Sequence, residues 1–151
     1  MTTKTFTSQS LEDTSVIAQE ILGQLSTTSS VSSATILALS GDLGAGKTAF
    51  TKLLAQHLGI AETVVSPTFV IAKFYDIPLG SFPWRRLVHI DAYRLESWNE
   101  LQVLKFDDVF CNPENLVIIE WPEQVADHDQ GAWKKLKVTL DGEAREMTFV
   151  H

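Results

Sequence analysis

The sequence predicts a three-layer α/β fold, with a central parallel sheet and antiparallel strands at its flanks. Three observations carry that expectation. Residues 36–40 and 116–119 are short, largely apolar runs bounded by turn residues, the pattern of strands buried on both faces. Amphipathic helical stretches alternate with such extended runs, as they do when helices cross over a sheet. Residues 136–140 and 147–150, joined through Asp141-Gly142, read as a C-terminal hairpin.

The first helix is predicted over residues 11–25. Ser10 stands where it can cap the helix, and Glu12 and Asp13 put negative charge on the first turn. Ile17, Ile21 and Leu25 recur every four residues and share a face. Residues 26–33, rich in Ser and Thr, read as the loop into strand 36–40. After a glycine-rich turn, residues 48–58 form a second amphipathic helix. Phe50, Leu53, Leu54 and Leu58 line one side, and Gly59 stands where helices often stop. Residues 63–65 and 69–75 look extended on either side of Ser66-Pro67, and 77–83, with two prolines and a glycine, read as a surface loop. A short strand is predicted at 87–91, then a helix over 96–110 broken by Asn112-Pro113, then the strand at 116–119.

The chain of 151 residues is long enough to bury roughly two-thirds of its unfolded surface, and one domain is expected over 1–151. Cys111 is the only cysteine, which excludes an internal disulfide and suits a reducing cytoplasm. No apolar run approaches the roughly 20 residues that cross a bilayer, and the polar N-terminus has no apolar signal core. Membrane insertion and secretion are therefore not expected. Twelve basic against 19 acidic residues give a formal charge of −7, which argues against tight, unaided binding of nucleic acid.

The most informative segment is Gly41-Asp42-Leu43-Gly44-Ala45-Gly46-Lys47-Thr48, which matches G-x-x-x-x-G-K-[ST] between a predicted strand and a predicted helix. Glycines permit positive φ and close backbone approach to phosphate. Successive N–H groups at a helix N-terminus make an anion cradle. In that reading residues 41–49, through Ala49, hold the phosphates of a nucleotide, Lys47 reaches the β and γ phosphates, and the Thr48 hydroxyl ligates Mg2+. The fold becomes P-loop NTPase-like. The guanine signature N-K-x-D and the switch string D-x-x-G are absent, as is L-S-G-G-Q, which disfavours a Ras-type GTPase and an ABC ATPase. The chain is too short for an AAA+ module with its lid. A small-molecule kinase remains open, although only four arginines (Arg85, Arg86, Arg94 and Arg145) are available for a transferred phosphate.

Three further segments follow the loop in order: Ser66-Pro67-Thr68-Phe69, His89-Ile90-Asp91-Ala92-Tyr93-Arg94-Leu95, and Val117-Ile118-Ile119-Glu120-Trp121-Pro122-Glu123. With GDLGAGKT they resemble the TsaE (YjeE) family of small bacterial P-loop ATPases over nearly the whole chain. Two departures are a longer Pro-rich insert before Arg85 and Ala92 where a larger apolar residue is usual. The resemblance implies that ATP is the nucleotide held by residues 41–49 and that the protein is an ATPase that turns over slowly in making threonylcarbamoyladenosine in tRNA, at the adenosine beside the anticodon. It implies TsaD and TsaB as partners, with tRNA engaged only through that complex. A nucleotide-gated adaptor with incidental hydrolysis is the rival within this setting.

The acidic residues fit that chemistry. Glu120 ends a buried strand, where a P-loop protein holds the carboxylate beside its metal; it would ligate Mg2+ or polarise the attacking water. Asp91 also ends a strand and would hold a metal-bound or nucleophilic water. The catalytic candidates are thus Lys47, Thr68, Asp91 and Glu120, and the metal candidates Thr48, Asp91 and Glu120. Thr68 resembles a switch that senses the γ-phosphate, or else lies in a simple turn. His89, two residues before Asp91 and on its face, reads as a packed imidazole. Arg94 pairs with Asp91 or meets a partner. Strand alternation would turn Trp121 away from Glu120. Trp84, Trp98 and Trp133 read as packing or rim residues. For the adenine, residues 7–10 and the segment around Trp133 are the candidates. No arginine is evident beside the loop.

Overall fold

Alternating apolar side chains leave strands 35–40, 86–91 and 115–120 no face for water, so helices must cover both sides. The computed structural model describes residues 1–129 and 131–151. Its elements are β1 (Thr3–Ser8), α1 (Leu11–Thr27), β2 (Thr35–Ser40), α2 (Lys47–His57), β3 (Ala72–Asp76), β4 (Arg86–Asp91), α3 (Trp98–Val103), α4 (Asp107–Phe110), β5 (Asn115–Glu120), a 3-10 segment (Pro122–His128), β6 (Lys134–Asp141) and β7 (Ala144–Val150). The seven strands form one sheet in the order β1-β7-β6-β2-β5-β4-β3. β6, β2, β5 and β4 run parallel at its centre, while β7 and β3 pair antiparallel with β6 and β4. This is the three-layer α/β architecture the sequence predicts.

The two sheet faces carry separate cores. Leu37, Leu39, Leu87, Leu116, Ile118 and Leu136 pack against Ile21, Leu22 and Leu25 of α1 and Phe50 and Leu54 of α2. Ala38, Val88, Ile90, Val117 and Ile119 pack on the other face against Trp98, Leu101, Phe110 and Val125. Trp84 is a core residue whose Nε1 donates to Thr35 Oγ1 at 3.0 Å, and Trp98 stacks on His128.

Four local expectations change. β1 is a strand that carries no apolar pattern: it is an edge strand, held by its register with β7 from Thr3↔Val150 to Ser8↔Arg145. Residues 63–65 form no strand, although Val64 is buried and the Val65 amide donates to the Tyr75 hydroxyl. Extension begins at Ala72, after a turn over 68–70, instead of at 69. The single helix expected over 96–110 is two. Lys105 adopts φ 63, and the amides of Lys105 and Phe106 close back on Gln102 and Leu101, a Schellman ending without its usual glycine. Val103 and Leu104 are exposed beside that break, so no continuous apolar face holds one long helix.

Candidate functional site

β2, β4 and β5 are parallel and in register, so their C-terminal residues converge at one edge of the sheet. That edge is where open α/β sheets take ligands. The chain leaves β2 through residues 41–46, with Gly41 at φ 148 and Gly46 at φ 106. A Cβ on Gly41 would lie 2.4 Å from the Val138 carbonyl oxygen, and one on Gly46 would lie 2.7 Å from Arg145 Nε. Gly41 therefore requires glycine for conformation and for space against a backbone carbonyl, and Gly46 for its positive φ. α2 starts at Lys47 with no side-chain cap and no acidic residue in its first turn, whereas Ser10 caps α1 and Glu12 and Asp13 follow it. The α2 amides are thus free of side-chain partners at the loop.

A cavity of about 240 Å³ lies against this loop. Leu43, Gly44, Gly46, Lys47, Thr48 and Ala49 form one wall, and Ser66, Thr68, Asp91, Glu120 and Trp121 the other. All four candidate catalytic residues thus face one space, together with the candidate metal ligand Thr48. Gly41, Asp42 and Ala45 stand back from it: Gly41 and Ala45 give their carbonyls to Lys47 and Arg145, and Asp42 is exposed.

Several arrangements were not legible in the chain. Lys47 is not exposed, being 6% accessible. Its ammonium donates to the Gly41 carbonyl and lies 4.0 Å from the centre of the Trp121 ring. Trp121 adopts φ 56, ψ 50, so strand alternation ends at Glu120 and the indole turns into the cavity beside it instead of away. Tyr93 packs on its ring at 5.0 Å. Arg145 of β7 donates from Nε to the Ala45 carbonyl at 2.9 Å, so an arginine does stand at the loop. The two residues are 100 apart, and only the hairpin register, pairing Arg145 with Leu140 and β1 Ser8, could have hinted at it.

The carboxylates are held separately. Asp91 accepts from Thr68 Oγ1 at 3.1 Å and from the Tyr93 amide at 2.9 Å, and Thr68 Oγ1 is 2.6 Å from Ser66 Oγ. Glu120, 4% accessible, is bonded through Oε2 to His89 Nε2 at 2.8 Å, while His89 Nδ1 is buried without a partner. Arg94 does not pair with Asp91 among the described residues; its guanidinium lies 4.8 Å from the Phe69 ring centre. Ser8 stands beside Arg145 at the loop, whereas Trp133 precedes β6, whose Lys134 aligns with Leu37, well before the loop end of β2. Among the described residues no group of three or more His, Cys, Asp or Glu is placed to hold a metal. The cavity instead offers three hydroxyls, of Thr48, Ser66 and Thr68, and two carboxylates, hard oxygen donors of the kind Mg2+ takes along with water and phosphate oxygens.

Away from the cavity, Asp129 is the one described group with a clear shift. Burial alone would raise its carboxyl. The hydrogen bond from Lys135, the Gly131 amide, the Lys135 charge and the Trp133 amide outweigh burial and hold it below its ordinary value. No helix among the described residues is long and apolar enough to cross a membrane.

Sheet order and the strand–glycine loop–helix unit define a P-loop NTPase-like three-layer protein. The crystal structure of Bacillus subtilis YdiB has this fold: it matches with a TM-score of 0.71 at 26% identity, over 98% of this chain and 84% of that one. Residues 8–148 match the family described as threonylcarbamoyl adenosine biosynthesis protein TsaE. The chain belongs to the TsaE family, whose members are named for tRNA threonylcarbamoyladenosine biosynthesis. It is 38% identical over 117 residues to the protein of that name from Bacillus subtilis, covering 76% of this chain and 68% of the relative. It is 43% identical over 89 residues to that of Streptomyces coelicolor, covering 58% and 57%. The match to the Streptomyces relative thus spans little more than half of that protein's length.

Proposed function

We propose that residues 1–151 act as one ATPase domain that binds ATP with Mg2+ and hydrolyses it slowly, in support of threonylcarbamoyladenosine synthesis at the tRNA adenosine beside the anticodon. TsaD and TsaB are the partners in this reading, and tRNA is met only through them. The observation that carries it is the shared cavity, with Lys47 and Thr48 on one wall and Thr68, Asp91 and Glu120 on the other.

The uncapped amides of α2 and the loop would cradle the phosphates. Lys47 would exchange the Gly41 carbonyl and the Trp121 face for the β and γ oxygens. Thr48 and Glu120 would hold Mg2+, with Asp91 joining directly or through a water. When bound, the ion neutralises charge on the transferring phosphate oxygens. Glu120 or Asp91 would accept a hydrogen from the attacking water and orient it. Thr68, bonded to Asp91, would report the γ-phosphate to its own segment.

That last contact also favours a nucleotide-gated adaptor as a second reading. Phe69 is 83% and Val70 58% exposed next to Thr68, so ordering Thr68 on ATP would move an apolar pair that a partner can grip. Phosphate release at saturating ATP, with and without TsaD–TsaB, tests the ATPase reading. The rate rises with partners; an unchanged rate in a mixture shown by gel filtration to have assembled would overturn it. Glu120→Gln separates the readings: repeated modification cycles by a variant that binds ATP but does not hydrolyse it would favour the adaptor.

A further inference from the structure

We propose that His89 is a positioning residue, holding Oε2 of Glu120 through its Nε2–H so that the carboxylate serves the phosphate cavity in one orientation. The proposal rests on the reading of Glu120 given above. Parallel register sets Asp91 opposite Glu120 and His89 opposite Ile118, so His89 lies one side-chain step behind the cavity on the same sheet face. From there its Nε2 reaches Oε2 at 2.8 Å across 31 residues of sequence. His89 has no accessible surface, and Glu120 has 4%.

The unused nitrogen is the informative detail. Nδ1 is buried without a partner, a cost that an aliphatic side chain filling the same space would not carry. What the imidazole offers and an aliphatic chain does not is the bond to Glu120. A metal-binding carboxylate is acceptor-only, so Nε2 carries the hydrogen of this bond. The need follows from residue type. Glutamate has one more rotatable bond than aspartate, and the chain turns sharply at Trp121 just after it. Asp91 is already held by Thr68 and Tyr93; His89 supplies the equivalent constraint for Glu120. Partners of this kind typically alter metal affinity or activity by about 10- to 100-fold when removed.

The test uses His89→Leu, which removes the donor, and His89→Gln, which restores an N–H at similar reach. In the nucleotide-free protein, long-range proton–nitrogen NMR places the ring hydrogen on Nε2, and Glu120→Gln shifts that signal. With MgATP, His89→Leu lowers kcat or raises the half-saturating Mg2+ concentration by about tenfold, leaves KM for ATP unchanged, and is largely rescued in His89→Gln. In a Glu120→Gln background, His89→Leu adds no further loss. An Nε2 without a hydrogen, losses that add in the double variant, or a wild-type rate and Mg2+ requirement in His89→Leu would each overturn the role of His89. If His89→Leu fails to fold, the NMR assignment and a wild-type-like His89→Gln decide. If Glu120→Gln alone leaves hydrolysis intact, the reading of Glu120 falls and takes this role with it. Additive losses with Glu120→Gln impaired remove His89 alone.

Discussion

Replacing Lys47 with alanine tests the phosphate-loop reading most directly. An ammonium about 4 Å from a phosphate charge contributes about 4 kcal/mol at the effective dielectric of a partly enclosed site. Lys47 does not start free: its ammonium already donates to the Gly41 carbonyl and rests over the Trp121 ring. Leaving those partners costs about 1 to 2 kcal/mol. The net contribution to ATP binding is then about 2 to 3 kcal/mol, so Lys47→Ala weakens ATP by about 30- to 150-fold. The same substitution removes the bond to Gly41 and lowers the melting temperature by only about 2 to 4 °C, so the variant remains folded. Isothermal titration with ATP, alongside thermal melting, reads both quantities. A dissociation constant within about threefold of wild type, in a variant that melts as one cooperative unit, would refute the assignment of Lys47 to the phosphates.

The other predictions concern the loop, a side-chain pair and the surface. Gly41→Ala combines a positive-φ penalty with an overlap against the Val138 carbonyl, so it destabilises by about 3 kcal/mol and lowers the melting temperature by about 6 to 12 °C in calorimetry. An unchanged melting temperature would mean that the loop does not leave β2 as described. The Asp129 carboxyl lies below its ordinary value of 3.8 in the folded chain, so its stabilising contribution is present at neutral pH and is lost as pH falls from about 4 through the lower folded value. Asp129→Asn is therefore modestly less stable than wild type in urea at pH 7, with a gap that closes towards pH 3; a gap that widened on acidification would contradict the sign. With a formal charge of −7, the isolated protein binds tRNA weakly at physiological salt, and a sub-micromolar complex with tRNA alone in a filter-binding titration would contradict this.

Wherever one short segment contains its own physical reason, the chain alone was sufficient. Strands β2 and β5 are legible because burial on both faces demands unbroken apolar runs, and α1 because Ser10 and the Ile17–Ile21–Leu25 spacing act within a few turns. The glycine loop is legible for the same reason: positive φ favours glycine at Gly41 and Gly46, and at Gly41 the Val138 carbonyl leaves no room for a Cβ. The family resemblance, which the comparisons support, also lives in four such local segments. The edge strand β1 was not legible, because its Thr-rich sequence takes its conformation from β7 and not from a buried face. Only the tertiary fold brought Arg145 to Ala45, His89 to Glu120 and the Trp121 ring over Lys47. The first two contacts depend on hairpin turns and sheet register, which align residues 100 and 31 positions apart. The third depends on one left-handed backbone conformation at Trp121, a residue type for which the sequence offers no warning of it. Local patterns encode which groups the cavity contains. Register and backbone conformation decide which of them touch.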